Sequence, residues 1–415
     1  MKKIMMSVGV TTLLIASACD ADETIVSNGG EGDTPEADVN SDEEVEPEEV
    51  IEAQGTEVVN IGYSGPLSGA AAFYGDNTLS GLSVAVNEVN KAGGFEVGGE
   101  MYSFNLVSLD DQYLPNEAGV NARRLSQEYD TPIVYIPHSG GIYASQVFNE
   151  DEQFMIGAYS SEPDLTDQGN DLTWRIPPTY DLYARPFSEY AMERFGNQLA
   201  MLPPSTQYGM DWAEELGPLW EEMGGEIVYD GSIDFSRETD FFTTITNALS
   251  DDPDVLFVGG SSEPTAQVMQ QARELGFEGG FIVMDQAKID EIERIIGEGS
   301  EEVIEGAVGV PPLIYDVHDG NQIFIDDYQE EIGREPGSEA GYHYLSIMIL
   351  KEAMIAAGTV EDATEIMASL NDGLNNVPSE QLVYRVTDID ELGGMNTELR
   401  FSYVEDGEIL IVDPE

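Results

Sequence analysis

Apolar and polar residues follow two different periods along most of this chain. Short apolar runs, such as VVNIGYS at 58–64, have the length and composition of buried strands. The segment that follows, 75–91, is different. Its apolar residues recur at spacings of three and four, as on one face of a helix: Leu79, Leu82, Val86 and Val89. The pattern therefore predicts a strand followed by an amphipathic helix.

The same alternation continues over the next 70 residues or so. It predicts strands at 102–109, 132–137 and 154–159, and helices at 116–129 and 143–150. Strands that alternate with helices in this way form a parallel sheet with helices on both of its faces. The first part of the chain is therefore expected to form one α/β unit.

A second series begins after TWRIPPTYD at 173–181. It predicts four more strands and four more helices: strands at 198–202, 226–233, 254–259 and 280–285, and helices at 210–223, 241–249, 265–275 and 289–296. The predicted fold class is thus α/β, with two Rossmann-like parallel-sheet lobes in tandem and right-handed crossovers.

The first 19 residues have the pattern of an export signal. Two lysines precede an apolar run at 4–15, which is too short to span a bilayer. Small residues at 16–18 then precede Cys19, the single cysteine of the chain. The alternative is an ordinary secretory signal cut at an A-x-A-like site, with Cys19 incidental. The spacing resembles the lipobox of bacterial lipoproteins, which implies that Cys19 carries a lipid. We favour this interpretation, because an exported body without other cysteines has no disulfide to form with it.

Charge separates the next segment from the rest of the chain. Residues 20–55 hold 14 Asp or Glu and no Lys or Arg, a composition that predicts an extended acidic tether. Removing these acids and the two signal lysines from the 81 acidic and 16 basic residues leaves the body near −53. Such a charge makes nucleic acid a poor partner and is typical of proteins that work at high salt or high pH.

The loops that follow the predicted strands hold the candidate ligand contacts, because open parallel sheets bind ligands beyond the carboxyl ends of their strands. Ser139 stands with two glycines at a predicted helix start, where it can bind a carboxylate or simply cap the helix. Ser160 and Ser161 can be ligand donors or a capped turn. Asp285 can pair with an ammonium group or remain a solvated acid.

Two tyrosines and one histidine complete the set of strand-end residues. Tyr74 and Tyr208 can pack against an aliphatic ligand, although packing within the protein is the commoner role of tyrosine. His138 is expected to be structural rather than a catalytic base. Asp110 and Asp111 are neighbours on a strand and therefore point in opposite directions. The common catalytic and nucleotide-binding motifs are absent from the sequence, so no enzyme, cofactor or metal site is predicted.

Several of these segments together resemble the type I periplasmic solute-binding proteins of ABC importers, in the leucine/isoleucine/valine-binding branch. The resemblance covers 58–412 and is strongest in five stretches: IGYSGPLSGAAAFYGDNTLSGLSVAVNEVNKAGG, DD, SEPDLT, QYG and VGGSSEPTAQVMQQARELG. It implies two lobes joined by three hinge crossovers, near 177–181, 310–313 and 395–399. Lobe 1 would comprise 56–178 and 313–396, and lobe 2 would comprise 179–312 and 397–415.

The resemblance also implies a role for each candidate residue. Tyr74 would lie against the ligand side chain, and Tyr208 would close on the ligand from lobe 2. Asp285 would pair with the α-ammonium group. Serines would hold the amino and carboxylate groups of the ligand: Ser139, Ser160 and Ser161. The sequence departs from the family at two positions, with Ser261 where a tyrosine is common and with the bulky Tyr159 where a small residue is usual.

The expected function is that of a lipid-anchored, extracytoplasmic, monomeric receptor. It would bind a small amino acid, branched-chain or related, in the interlobe cleft and deliver it to ABC permease subunits and their ATPases. No covalent chemistry is implied. Two alternatives stay open: a binding protein for an amide, urea or small carboxylic acid, and a sensory ligand-binding module.

The lipid-attachment motif makes a direct prediction. Cys19→Ala should release the protein from the membrane fraction, because the thiol that would carry the lipid is gone. Ligand affinity should stay unchanged, since the tether separates Cys19 from the body. Fractionation of cells that express each form checks this, and a variant that remains in the membrane without lipid would contradict the motif.

Overall fold

The structure is a computed structural model, and it describes residues 56–315 and 319–413. The predicted signal peptide, Cys19 and the acidic segment 20–55 lie outside the described residues. Within the described part of the chain, no helix is long and apolar enough to cross a membrane.

The first sheet has six strands in the order β2-β3-β1-β4-β5-β6. All its pairings are parallel except that of the edge strand β2 with β3. The strands are β1 (Glu57–Gly65), β2 (Phe95–Val97), β3 (Glu100–Asp110), β4 (Ile133–Ile136), β5 (Met155–Ala158) and β6 (Thr173–Arg175). Its helices are α1 (Ala72–Lys91), α2 (Pro115–Tyr129), α3 (Ser139–Gln146), α4 (Asn149–Glu152) and α5 (Asp164–Asp167).

The second sheet has seven strands in the order β15-β14-β11-β10-β9-β7-β8. Its strands are β7 (Gln198–Leu202), β8 (Glu226–Asp230), β9 (Val255–Val258), β10 (Gly280–Val283), β11 (Ala307–Gly309), β14 (Phe401–Glu405) and β15 (Glu408–Val412). Its helices are α6 (Asp181–Arg194), α7 (Gln207–Glu222), α8 (Phe242–Leu249), α9 (Ser262–Glu274), α10 (Ile289–Ile296) and α11 (Ser300–Ile304). The strands β14 and β15 are antiparallel and close one edge of this sheet.

Between β11 and β14 the chain returns to the first sheet. The helix α13 packs along α1, and a short antiparallel hairpin follows the last helices. The elements of this return are α12 (Asp319–Ile332), α13 (Ser338–Ala357), α14 (Ala363–Ala368), α15 (Leu370–Asn376), β12 (Val386–Ile389) and β13 (Met395–Thr397). The chain therefore passes three times between the two sheets, as predicted. We call the sheets with their helices lobe 1 and lobe 2; the residue limits predicted for them stay a prediction.

The central strands are buried on both faces, which explains their uninterrupted apolar sequences. All four residues of β4, β5, β9 and β10 are buried. Apolar clusters lie on the two sides of each sheet, and among the largest fully buried side chains are Trp174, Trp212 and Trp220.

Strand order determines where a ligand can enter. In lobe 1 the chain runs from β1 to β3 on one side and to β4 on the other, and in lobe 2 it runs from β7 to β8 and then to β9 on the opposite side. The loops at the carboxyl ends of these neighbouring strands diverge and leave a crevice between them. The two crevices, one in each lobe, are the natural place for a ligand site.

Two predictions of the pattern need correction. The helix expected at 143–150 is instead α3, beginning at Ser139, followed by the separate α4. The His138 side chain caps α3 by accepting a hydrogen bond from the Gly141 N–H, at 3.0 Å, and so sets its start. The sequence pattern also fails to predict α6. Pro186 lies inside this helix, and a proline within a segment argues against a helix there.

The close packing of α1 on α13 depends on a glycine. A Cβ added at Gly81 would lie 2.3 Å from the Ala340 carbonyl oxygen, whereas one at Gly119 on α2 would lie 3.5 Å from the Ala144 Cβ. The first distance is a clash with backbone and the second is an ordinary contact.

This contrast predicts opposite effects of the same substitution. Gly81→Ala should lower the free energy of unfolding by about 1–3 kcal/mol, because the two helices must separate. Gly119→Ala should be neutral or stabilising by up to about 1 kcal/mol, because alanine favours the helix. Urea unfolding of both variants checks this, and equal losses would contradict the packing argument.

Candidate functional site

A cavity lies between the two lobes at the carboxyl ends of their strands. About 290 Å³ of space lies between its walls, part of it open to solvent. Five of the six predicted site residues line it: Tyr74, Ser160, Ser161, Tyr208 and Asp285. The strand-end rule therefore brings residues together that lie more than 200 positions apart in sequence.

Ser139 is the sixth candidate and lies behind the cavity wall. It is 1% exposed, and its hydroxyl is 2.8 Å from the Ser160 hydroxyl. The wall at this point is formed instead by His138 and Ser160. Ser139 thus acts on the cavity by orienting Ser160.

Asp285 has hydrogen-bond donors from both lobes. Its carboxylate accepts from the Ser161 hydroxyl of lobe 1 and from the Tyr208 hydroxyl of lobe 2. The Trp212 indole N–H donates to it as well, at 2.9 Å. A carboxylate has about four acceptor positions, so one is left for a ligand.

Trp212 was not predicted as a site residue, although the sequence does contain a signal for it. It stands four residues after Tyr208 on α7, so the two side chains lie on the same face of the helix. Trp212 is fully buried, and its ring packs against Tyr180 and Phe257. It therefore holds Asp285 from beneath while anchoring α7 in the core.

His138 has a structural role, in agreement with the sequence. Its Nδ1 accepts the Gly141 N–H, so Nε2 carries the ring proton and donates to Asp111, at 3.0 Å. Asp111 is fully buried and also accepts from the Ser64 hydroxyl and the Tyr113 N–H. Both ring nitrogens are occupied, which leaves neither for acid or base chemistry.

Asp110 and Asp111 do point in different directions. Asp110 is exposed and accepts from the Leu67 N–H, at 2.9 Å, and from the Ser68 hydroxyl, at 2.6 Å. Asp110 therefore fixes the loop after β1, while Asp111 fixes the start of α3. Neither arrangement joins the two carboxylates in one site.

Tyr74 and Tyr159 form an aromatic side of the cavity. The Tyr74 hydroxyl donates to the Pro137 carbonyl at 2.8 Å, and its ring centre is 6.3 Å from that of Tyr159. Burial raises the pKa of both phenols well above the ordinary value, so both remain neutral. Their rings offer apolar surface to a ligand, not charge.

Lys288 is a buried cation at the cavity that the sequence did not indicate. It is 3% exposed, and its ammonium group donates to the carbonyls of Asp285, at 2.6 Å, and Gln286, at 3.1 Å. It lies 3.6 Å from the Glu339 carboxylate of lobe 1. A lysine in the loop after a strand usually points to solvent, and only the fold shows that this one is enclosed.

A second chamber continues from the cavity toward the passages between the lobes. It holds about 700 Å³ of space, part of it open to solvent, and shares lining residues with the first cavity: Tyr159, Ser161, Pro177, Asp285 and Lys288. Tyr183 and the stacked pair Tyr342 and Tyr384 add aromatic walls. Among the described residues, the buried Ser338 hydroxyl in this wall has no hydrogen-bond partner.

Other contacts join the lobes around the cavity. The Gln286 side-chain amide of lobe 2 donates to the Tyr113 hydroxyl of lobe 1 at 2.8 Å, and the Ser261 hydroxyl reaches the Ala70 carbonyl at 3.4 Å. The structure thus has the lobes closed on each other. Within its described residues, it has no group of three or more His, Cys, Asp or Glu side chains placed to hold a metal ion.

Two parallel-sheet lobes, three passages between them and a small enclosed cavity in the crevice define a type I periplasmic binding protein. A family model described as periplasmic binding protein matches residues 58–408, and the chain belongs to this family of solute-binding, non-enzymatic proteins. Several of its relatives are proteins named for binding leucine, isoleucine and valine.

Two curated relatives illustrate the similarity. An amino acid binding protein of Pseudomonas aeruginosa is 27% identical over 74% of this chain and 80% of its own length. The Leu/Ile/Val-binding protein of Escherichia coli K12 is 24% identical over 65% of this chain and 72% of its own.

The solved structures agree in fold. A leucine-binding protein of Thermotoga maritima superposes with a TM-score of 0.71 at 21% identity, covering 86% of this chain and 99% of its own. A solute-binding protein of Rhodopseudomonas palustris in complex with benzoate superposes with a TM-score of 0.70 at 16% identity, covering 86% and 96%. At such identities the likeness establishes the fold alone.

Because Lys288 is buried, we expect its ion pair with Glu339 to contribute more to stability than a shorter ion pair at the surface. Lys288→Met should lower the free energy of unfolding by about 3–5 kcal/mol, because it leaves the buried Glu339 without its cation. The matched control is Lys91→Met, which breaks a shorter but solvated ion pair with Glu331, at 2.8 Å. That variant should lose less than about 1 kcal/mol in the same urea titration. A larger loss in the control would contradict the assignment.

Proposed function

We propose that this protein is the extracytoplasmic, lipid-anchored substrate-binding protein of an ABC importer for a small amino acid. The observation that carries the proposal is the Asp285 carboxylate, enclosed between the lobes with one acceptor position left. A ligand α-ammonium group would fill that position and form a charge-assisted hydrogen bond. Tyr74 would then lie against the ligand side chain, and Tyr208 would close on it from lobe 2.

The ligand carboxylate would bind on the lobe 1 side of the cavity. There Ser160 and His138 form the wall, and the buried Lys288, which also lines the cavity, supplies a positive potential. Both ligand charges would thus be paired. The cavity at Tyr74 is small, which suits a branched-chain or smaller side chain.

Delivery to a membrane permease would follow from closure around the ligand. Bending at the three passages between the lobes, near 177–181, 310–313 and 395–399, would open and close the cavity. The acidic segment 20–55 would keep the body near the membrane and so raise its effective concentration at the permease. The permease would recognise the closed form.

The second chamber favours one alternative ligand class, a carboxylic acid with an aromatic ring. Its walls carry several tyrosine rings, and the unpartnered Ser338 hydroxyl can bind a polar substituent on such a ring. A bare carboxylic acid would have no ammonium group for Asp285. The two classes therefore differ in their dependence on one residue.

Calorimetric titration with two ligand sets separates these possibilities. The amino acids would be leucine, isoleucine, valine, alanine and phenylalanine, and the neutral or acidic compounds would be acetamide, urea and benzoate. In Asp285→Asn, affinity for an amino acid should fall by about 100-fold or more, because its buried ammonium group loses its counter-charge. Affinity for benzoate should stay equal or rise.

The matched control is Asp251→Asn, which removes an exposed carboxylate of lobe 2 far from the cavity. It should leave every affinity unchanged. If no amino acid binds and benzoate or an amide does, the amino acid proposal is wrong and the alternative class replaces it.

A further inference from the structure

Two pairs of carboxyl groups bridge the lobes outside the ligand contacts. Glu291 on α10 of lobe 2 lies beside Glu339 on α13 of lobe 1, and both are almost fully buried. Glu162, after β5 of lobe 1, lies beside Asp211 on α7 of lobe 2. Like charges at an interface oppose its formation, so both pairs call for a physical explanation.

The first pair is held together by a single amide. The Asn77 side-chain N–H₂ donates to Glu291, at 3.0 Å, and to Glu339, at 2.8 Å. Arg334 donates to the Asn77 carbonyl oxygen, which fixes the amide with its N–H₂ toward the two carboxyls. The Ser262 hydroxyl donates to the other Glu291 oxygen at 2.5 Å.

The surrounding charges do not neutralise this pair. The charged or titratable groups around it are Asp290, Lys288, Arg294 and Arg334, with the His343 ring beside Glu339. Arg294 pairs with Asp290, at 3.2 Å, and Arg334 pairs with Asp76, which leaves Lys288 for the two carboxyls. Among the described residues, one oxygen of Glu339 has no hydrogen-bond partner, although the side chain is 1% exposed.

The second pair is held by a phenol. Glu162 is 4% exposed, and each of its oxygens accepts from the Tyr180 hydroxyl at 3.0 Å. The charge of Asp211 acts on the Glu162 carboxyl, so the two acids oppose each other's ionisation. The other titratable groups around this pair are acids or phenols: Asp164, Glu214, Glu215 and Tyr143.

We propose that closure of the lobes takes up protons, one at each interlobe carboxyl pair, and that opening releases them. In the closed form each pair is enclosed, and a proton removes the repulsion between its carboxyls. When the lobes separate, each carboxyl regains water and loses the neighbour that favoured its protonation. Closure is then weakened by rising pH, independently of which ligand is bound.

The pKa shifts in the closed form have the direction that the proposal requires. Burial, and then the charge of Glu339, raises the pKa of Glu291 from 4.5 to about 8. Burial, and then the charge of Asp211, raises the pKa of Glu162 from 4.5 to about 8. Between these values the closed form holds protons that the open form has lost. Raising the pH through this window therefore shifts the equilibrium toward the open form, and the shift ends above about pH 8.

Distance measurements on ligand-free protein test the proposal without depending on the identity of the ligand. Spin labels at Gln127→Cys on α2 and Gln270→Cys on α9 mark one exposed position in each lobe. The full chain would also carry Cys19→Ser, so that the labels occupy the only two cysteines. The fraction of the short interlobe distance should fall as the pH rises from about 6 to 8, by up to about tenfold per unit for each proton.

Replacement of the titrating groups should remove this response. Glu291→Gln and Glu162→Gln are neutral at every pH and keep an acceptor and a donor in each pair. Each should flatten the pH profile in part, and the double variant should abolish it. Glu274→Gln removes an exposed carboxyl of lobe 2 and should keep the full response. Circular dichroism at each pH separates opening from unfolding.

A closed fraction that does not change with pH in the original chain would overturn the proposal. So would an undiminished response in the Glu291→Gln, Glu162→Gln double variant, which would assign the titration to other groups. Neither result depends on the ligand assays, and the amino acid proposal can fail while this one stands.

Discussion

A carboxylate between two lobes is shielded from water and must accept hydrogen bonds from the protein. The hydrogen bonds that Asp285 accepts determine how most of the site is arranged. Ser161 comes from the end of β5 in lobe 1, whereas Tyr208 and Trp212 come from α7 in lobe 2. These groups can meet only if the carboxyl ends of the strands in both sheets point into the same crevice. The strand orders, the three passages of the chain and the closed arrangement of the lobes all serve that meeting.

The fold could be predicted from the sequence because its central strands are buried on both faces. Runs such as VLFV in β9 are apolar throughout, and their spacing with helices gives the parallel order. The pattern is weaker at the edges. The three-residue strand β6 and the proline-containing helix α6 carry too little periodicity to be recognised, although both lie where the chain first leaves lobe 1.

Site residues could be predicted where they lie just beyond the end of a strand. They could not be predicted where the fold directs a loop side chain toward the protein interior. Asp285 lies two residues after β10, and it lines the cavity. Lys288 belongs to the same loop, but its ammonium group turns back to two carbonyls of that loop and lies near Glu339 of the other lobe, an arrangement that no sequence pattern indicates. Ser139 does not line the cavity, its hydroxyl lies 2.8 Å from that of Ser160, and its part in ligand binding stays a prediction.

The first interlobe carboxyl pair also leaves no room for a side chain at a neighbouring glycine. A Cβ at Gly337, which precedes α13, would lie 2.2 Å from a Glu291 oxygen and 2.9 Å from a Glu339 oxygen. Those oxygens belong to flexible side chains, but Asn77 and Ser262 tie Glu291 in place. A methyl group at this position would act as a wedge between the lobes, remote from the ligand. The position thus offers a steric handle on the resting conformation of the receptor, one that changes neither charge nor binding chemistry.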